Sequence, residues 1–600
     1  MMKFLSGLYL REITSCRWLP RIKFIHSHSL KNNRKTNHYK ILIMILKKIP
    51  MLIFLLLIFV AKAQHEFITV WKPSLPPPPN AYTGIPVNSN NNQIWFPGRG
   101  TNYQIYWEEI GYPSHNATLT NVTSAYQTLI DFGAPQNPNP SDATYRIKVS
   151  NGNGNFHQIR FADWDMLNYD AIVGDVHKIL LVEQWGTIQW SSMEQAFQAC
   201  KILDFTATDI PDLKMVTDMS YMFSGCYDLV GNPSINNWNT ASVTTLLGTF
   251  AGCFVFNQPV GNWNTSNVTM MGVTFNVAKL FNQPLDNWDT SKVTATTAMF
   301  SMAKEFNQPI GSWDMSNNLD AEFMFSNASN FNQPLGNWNT SQIIEMNNMF
   351  LNARAFDQDI SNWDTQNVKF MNSMFSNAEN FNSNISHWDT RKVEWMQDMF
   401  NGAKKFNQDI GKWNVALVKS TNNMFNNAIV FNQNLGSWDL SSLIYASNMF
   451  KNSALNCQNY DSTLYGWSQN PSIPDNINLS SVSPLTYSHN AAVTARNYLI
   501  NSKGWTISGD TYNGECQSLL GTSDLKVKGE INLYPNPATD IIYVKNSNAK
   551  DFKIMDLSGR IVLHGNVVNE QINIQALTPG NYILQLYSKE NIQNLKFIKK

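Results

Sequence analysis

At 600 residues the chain is too long for a single hydrophobic core, so several domains are expected. Its formal charge of zero hides an asymmetry: residues 1–63 hold 12 Lys and Arg with one acid, Glu12, and the remainder carries 32 basic against 43 acidic residues, a net charge of −11. That balance argues against a nucleic acid as partner, because phosphate recognition needs clustered positive charge.

Lys47 and Lys48 precede an apolar run over 51–60, followed by Ala61-Lys62-Ala63 before Gln64. A basic region, a short apolar core and a small-x-small site predict a secretory signal peptide over 1–63, cleaved between Ala63 and Gln64. The run is too short to span a bilayer, so no transmembrane span is expected in the mature chain. Met44 is a plausible start, which makes 1–43 an over-long extension.

Residues 64–178 predict a β-sandwich-like module. Phe67-Ile-Thr-Val-Trp71, Gln93-Ile-Trp-Phe96, Tyr103-Gln-Ile-Tyr-Trp107, Thr144-Tyr-Arg-Ile-Lys-Val149 and Gln158-Ile-Arg-Phe161 are strand-like, with a turn at Asn151-Gly-Asn-Gly-Asn155. Asp163, Asp165, Asn168 and Asp170 are spaced somewhat like a calcium loop, but Leu167 and Asn168 stand where an EF-hand needs an oxygen ligand and Gly, so a polar turn is expected and no metal. Asn116-Ala-Thr and Asn121-Val-Thr are sequons of the kind an Asn-rich chain produces by chance.

From 179 to 517 the chain repeats. Nine Trp, from Trp238 through Trp263, Trp288, Trp313, Trp338, Trp363, Trp388 and Trp413 to Trp438, recur every 25 residues, each followed twelve residues on by Phe. The pattern is W-(N/D)-T-S-x-V-x-x-M-x-x-M-F-x-x-A-x-x-F-N-Q-x-(L/I)-G-x, and it extends upstream through Trp185 and Phe197. A unit this short cannot bury a core alone, so units must stack. Val268, Met271, Thr274, Phe275 and Ala278 step by three and four, which predicts a helical half. Val260-x-x-Trp263-x-Thr265-x-x-Val268 predicts an extended half with Trp and Thr inward. The expected fold is an α/β solenoid, leucine-rich-repeat-like, with a parallel β-helix as alternative. The segment after Phe450 should cap it.

The Trp column belongs to the core on this reading, and the residues flanking each Trp face outward: Asn237, Asn239, Asn262, Asn264, Asn287, Asp289, Ser312, Asp314, Asn337, Asn339, Asn362 and Asp364. They form a candidate ligand face, or an amide ladder that bonds along the stack, or both. Cys200, Cys226 and Cys253 sit where other repeats have Ala, as small apolar thiols; a Cys226–Cys253 bridge is open, as is one between Cys457 and Cys516. No CxxC pair suggests zinc.

A linker over 518–530 leads to a tail over 531–600 with strands at Ile541-Ile-Tyr-Val544, Phe552-Lys-Ile-Met555, Ile561-Val-Leu563, Ile572-Asn-Ile574 and Tyr582-Ile-Leu-Gln-Leu586. This is the second small all-β module.

Two regions resemble known families. Phe331-Asn-Gln-Pro-Leu-Gly-Asn-Trp-Asn-Thr with Met349-Phe350, Gln184-Trp-Gly-Thr-Ile-Gln-Trp190, Asp209-Ile-Pro-Asp-Leu213 and Asn459-Tyr-Asp-Ser-Thr-Leu-Tyr-Gly-Trp467 resemble BspA-like leucine-rich-repeat bacterial surface proteins. The W-G-D-G motif often found ahead of such repeats is replaced by Trp107-Glu-Glu-Ile. Tyr534-Pro535-Asn536-Pro537-Ala-Thr-Asp540, Asp556-Leu-Ser-Gly559-Arg560 and Leu577-Thr-Pro579-Gly580-Asn-Tyr582, with Lys599 at the end, are similar to the type IX secretion C-terminal sorting domain. That resemblance implies a Gram-negative bacterium, the type IX machinery as partner, and cargo anchored at the outer surface or released.

No HExxH, GxSxG or P-loop occurs, and the seven His beyond residue 63 are scattered. The expectation is a non-enzymatic adhesin or protein- or glycan-binding scaffold without cofactor, whose ligand is unspecified. The alternative is a secreted polysaccharide- or protein-degrading enzyme or its accessory binding subunit.

Overall fold

The computed structural model describes residues 65–77, 89–162, 175–514, 532–545, 549–557, 559–587 and 592–600. The leader with Ala63 and Gln64, the acidic turn at Asp163 to Asp170, Cys516 and the linker 518–530 lie outside the described residues.

The amino-terminal strands are β1 (Phe67–Trp71), β2 (Gln93–Phe96), β3 (Gly98–Glu109), β4 (Tyr112–Ser124), β5 (Thr128–Asp131), β6 (Tyr145–Ser150), β7 (Asn155–Ile159), β8 (Ile179–Gln184) and β9 (Asp204–Phe205). Period-2 alternation buries Tyr145, Ile147 and Val149 of β6 and turns Arg146 and Lys148 outward, where they meet Glu183 and Glu108. β4, with its two sequons, has no counterpart among the expected strands. In place of the expected sandwich-like module the strands form one sheet ordered β4-β3-β6-β1-β8-β9, with β7 also on β3 and a separate β2–β5 pair. Its β8–β9 pairing is parallel, and one apolar core runs from Phe67 through the repeats to Ile507.

The α/β solenoid is not what forms. Between Trp238 and Phe450 there is neither helix nor strand, only turns and one isolated parallel bridge per repeat, such as Thr245↔Met270 and Met270↔Ala295. The helical half fails because two residues per repeat, ten and fourteen after the Trp, have left-handed backbone: Gly248 and Gly252, Val273 and Val277, Asn348 and Asn352, Asn423 and Asn427. A right-handed helix cannot pass through them. The N–H groups show what the chain does instead. Those of Leu246, Gly248, Phe250 and Gly252 donate to Met270, Gly272, Thr274 and Asn276 of the next repeat, at 2.7–3.0 Å. Those of Thr249, Ala251 and Cys253 close local turns on Leu246, Gly248 and Phe250. A helix would spend every N–H internally and leave none for stacking. Successive tight turns reproduce the three-and-four spacing of buried residues without the helix.

The extended half keeps its expected alternation, with Trp263 and Thr265 buried and Asn262 and Asn264 exposed, but side chains replace the strand ladder. Trp263 Nε1 donates to the Ile235 carbonyl at 2.8 Å, and Thr265 Oγ1 to the Asp289 carbonyl at 3.0 Å. The same indole bond recurs at Trp288, Trp313, Trp338, Trp363, Trp388, Trp413 and Trp438, always to the residue 28 positions earlier. The indoles stack, with centroids 6.4 Å apart and planes 6° apart at Trp263 and Trp288, and the Phe column alongside is spaced 5.8 Å at Phe275 and Phe300. The indoles are core, at 1–4% exposure from Trp238 to Trp438.

Cys200, Cys226 and Cys253 are free, buried thiols, so no Cys226–Cys253 bridge forms. Cys226 Sγ donates to the Phe197 carbonyl and Cys253 Sγ to that of Phe223, and burial pushes all three thiols up. Cys457 is disulfide-bonded.

The array ends on α1 (Cys457–Ser468), β10 (Asn478–Ser481), β11 (Thr486–Tyr487), α2 (Asn490–Asn501), β12 (Thr506–Ser508) and β13 (Thr511–Tyr512). The last repeat's outward N–H groups, on Asn448 and Asn452, are taken by the carbonyls of Leu479 and Ser483. Trp467 of α1 continues the indole column, donating to the Leu435 carbonyl. α1 docks so closely that a Cβ on Gly466 would lie 2.2 Å from the Gly436 carbonyl oxygen.

The tail has its own core around Ile542, Ile554, Ile572, Leu584 and Phe597. Its strands β14 (Asn532–Tyr534), β15 (Ile541–Lys545), β16 (Asp551–Met555), β17 (Ile561–Asn566), β18 (Gln571–Asn573), β19 (Gly580–Tyr587) and β20 (Ile592–Lys599) form two sheets, β14-β15-β18 and β17-β16-β19-β20.

Trp338→Phe keeps a ring but orphans the Ile310 carbonyl, so urea unfolding should show a loss of about 1–3 kcal/mol; Trp338→Ala should lose ~3–5 kcal/mol. Val277 holds a β-branched side chain at φ 60 where five of the later repeats have Asn. Val277→Asn should therefore raise stability by ~1 kcal/mol in the same assay.

Candidate functional site

All ten residues of the candidate ligand face (Asn237, Asn239, Asn262, Asn264, Asn287, Asp289, Asn337, Asn339, Asn362 and Asp364) are exposed. They share an edge because the buried Trp between each pair sets the register. The residue after each Trp is occupied locally: its Oδ1 accepts the N–H two residues on, at Ala241, Ser266, Ser291, Ser341 and Gln366. Hydrogen bonds from Ser291 hold the Asp289 carboxyl below its ordinary range. These side chains brace their own turns, so the expected amide ladder along the stack does not run here.

The ladder lies nineteen residues after the Trp. Asn257 Oδ1 accepts the N–H of Asn282, and the bond repeats from Asn282 to Asn307, Asn307 to Asn332 and Asn332 to Asp357, each at 2.9 Å. Gln283 Nε2 also donates to Asn257 Oδ1, and Gln308, Gln333 and Gln358 repeat that contact. The F-N-Q run in the repeat pattern carried this signal.

The bridge residues form a third edge, where Asp320, Glu322 and Glu345 meet. Desolvation, then the neighbouring Asp320, raises the carboxyls of Glu322 and Glu345. Thr297 Oγ1 donates to Asp320 at 2.7 Å. Among the described residues no group of three or more His, Cys, Asp or Glu is placed to hold a metal ion. In the amino-terminal sheet, buried Lys178 donates to Ser89 Oγ, Asn90 O and Gln93 O, which ties a loop down.

The sorting-motif residues fall into three places. Tyr534 of β14 stacks on Tyr543, and after Pro535 the Asn536 side chain accepts the Ile598 N–H. Beyond Pro537, Ala538 bridges Lys599, whose ammonium donates to the Thr539 carbonyl. The first motif is thus clamped to the last strand. Gly559, at φ 84, turns the β16–β17 hairpin, where Arg560 pairs with Asp556. Gly580 opens β19 after Pro579, and the Tyr582 hydroxyl donates to the Thr578 carbonyl.

This tail, clamped end to end, is matched over its whole length. Residues 532–600 match the secretion system C-terminal sorting domain. The sorting domain directs the protein to the cell surface or the medium through the type IX secretion machinery of Bacteroidetes-type bacteria. The repeats, over 191–310, 280–371 and 352–463, match the family described as "Mycoplasma protein of unknown function, DUF285". A 57-residue stretch is 30% identical to Beta-agarase D of Zobellia galactanivorans, covering 10% of this chain and 12% of that protein. The chain thus spans about an eighth of the length of that curated relative. Among the described residues no helix is long and apolar enough to cross a membrane.

Glu322 and Glu345 bind their protons more tightly folded than unfolded. Their contribution therefore favours the folded chain below the ordinary value of 4.5 and is lost as pH rises through the folded values above it. Glu345→Gln should be more stable than the parent at neutral pH, and its urea midpoint should change less between about pH 5 and 7.

Proposed function

We propose that this exported protein is a non-enzymatic binding scaffold, acting at the surface or after release as an adhesin or a protein- or glycan-binding module. The observation that carries the reading is the periodic exposed row from Asn237 to Asp364. A stacked ring core holds it in fixed register, and its Asn side chains turn exposed amide donors toward hydroxyl-rich or protein partners, while their oxygens beside each Trp brace the local turns. The motifs shared with BspA-like surface proteins support it from sequence alone. A signal peptide over 1–63 would deliver the chain to the periplasm, where the sorting tail acts. The agarase named above shares too little of its length to lend this chain its substrate.

Glycan and matrix-protein arrays probed with the purified chain should give discrete hits. Serine substitutions at Asn262, Asn264, Asn337 and Asn339 should remove them while leaving the urea midpoint near the parent's. Hits untouched by these substitutions would place the ligand on another face. Turnover of polysaccharides or peptides would favour the enzymatic alternative.

A further inference from the structure

Sixteen residues after each Trp position lies another row, with a different character: Lys201, Tyr227, Lys279 and Lys304 are exposed and Phe254 is half-buried. Tyr227 and Phe254 stack there in adjacent repeats, centroids 4.4 Å apart and planes 8° apart. Lys201 Nζ stands 5.4 Å from the Tyr227 centroid and Lys279 Nζ 3.9 Å from that of Phe254, so a cation closes each end of the stack. Lys304 follows in the next repeat, also exposed. Among the described residues Lys201, Lys279 and Lys304 have no carboxylate within ion-pair distance, whereas Arg354 and Lys404, further along, share Glu379. A ring face holds an ammonium group in place without cancelling its charge. In the next position of each repeat Ile202, Val255 and Leu280 are 36–47% exposed and offer aliphatic shoulders, with the exposed acids Asp228 and Glu305 in the same column.

This row is the opposite of what the composition suggests. The chain beyond residue 63 carries a net −11, and the Trp-flanking row is amide and carboxylate. The net charge repels an anionic polymer, and the three ammonium groups of this row, none of them ion-paired among the described residues, attract it. The cations sit one repeat apart at Lys279 and Lys304, and three repeats apart at Lys201 and Lys279. That geometry suits a linear polymer laid along the stack, with the aliphatic shoulders meeting the C–H faces of its sugars. A lipid surface would need a broad patch rather than one file of residues.

We propose that the row Lys201, Tyr227, Phe254, Lys279 and Lys304 binds an acidic polysaccharide, its carboxylate or sulfate groups paired with the three lysines. This rests on the reading of the repeats as a binding scaffold and adds a second face to it.

The test is fluorescence anisotropy of the purified full chain with labelled polygalacturonate, dextran sulfate and neutral dextran, at low and high salt. Binding to one or both acidic polymers, absent for dextran and weakened by salt, is expected; the two polymers separate carboxylate from sulfate recognition. The triple variant Lys201→Gln, Lys279→Gln, Lys304→Gln should bind roughly tenfold more weakly, with an unchanged urea midpoint, whereas Lys412→Gln on the Trp-flanking row should bind as the parent does. No binding to either acidic polymer, equal binding to dextran, tighter binding to phosphatidylglycerol vesicles or poly-glutamate, or parental binding by the triple variant would each overturn the inference. Should array hits vanish on the serine variants of the Asn row while the lysine variant behaves as parent, this inference falls and the scaffold stands. Should the polymer be cleaved, the scaffold reading itself falls.

Discussion

Each repeat has to dispose of its backbone N–H and C=O groups while being neither helix nor strand. The solution is an alternation: one N–H closes the local turn, the next reaches the following repeat, as at Leu246, Gly248 and Phe250 against Thr249 and Ala251. Left-handed residues make the alternation possible by reversing the turn every four positions. Where the chain is extended, the indole N–H and the Thr hydroxyl take over, one reaching back and the other forward. The ring columns, the amide ladder and the exposed rows all inherit their register from this wiring.

The 25-residue metric, the buried Trp column and the inward Thr were legible because periodicity reports burial directly. What periodicity could not report was the backbone path. Val268, Met271, Thr274, Phe275 and Ala278 lie on one side of a chain of turns as well as they would on one side of a helix. The distinguishing sign was the residue at positions ten and fourteen, often Asn or Gly. Val273, Val277 and Met302 concealed it by occupying the same conformation against their own preference. Likewise an amide ladder along the stack was one of two readings for the residues flanking Trp, but the nearest donors to those that follow it are the N–H groups two residues on. The long reach fell to the Asn of F-N-Q. The lysine row escaped notice because its members are 25 or more residues apart and are outnumbered in every local window.

Strands β1, β2, β6, β15, β16 and β19 were legible, since alternation within a strand is decided locally, whereas β4, β5, β14 and β20 were not expected. Their pairing was less so. That β8 passes the sheet on to β9 in parallel follows from the repeats behind it, and that Asn536 meets Ile598 joins opposite ends of the tail. In the sorting domain this closure gathers the first motif and Lys599 of the last strand into one patch.

From Trp263 onward the ring stacks and hydrogen bonds described above join adjacent repeats, so this part of the array has few long ties to hold it against a pull. A repeat of 25 residues adds about 4.8 Å to the stack but spans roughly 85 Å when drawn straight. Under load, each repeat that peels away releases a large reserve of slack. The remaining repeats keep their own contacts, so the chain yields by lengthening one repeat at a time.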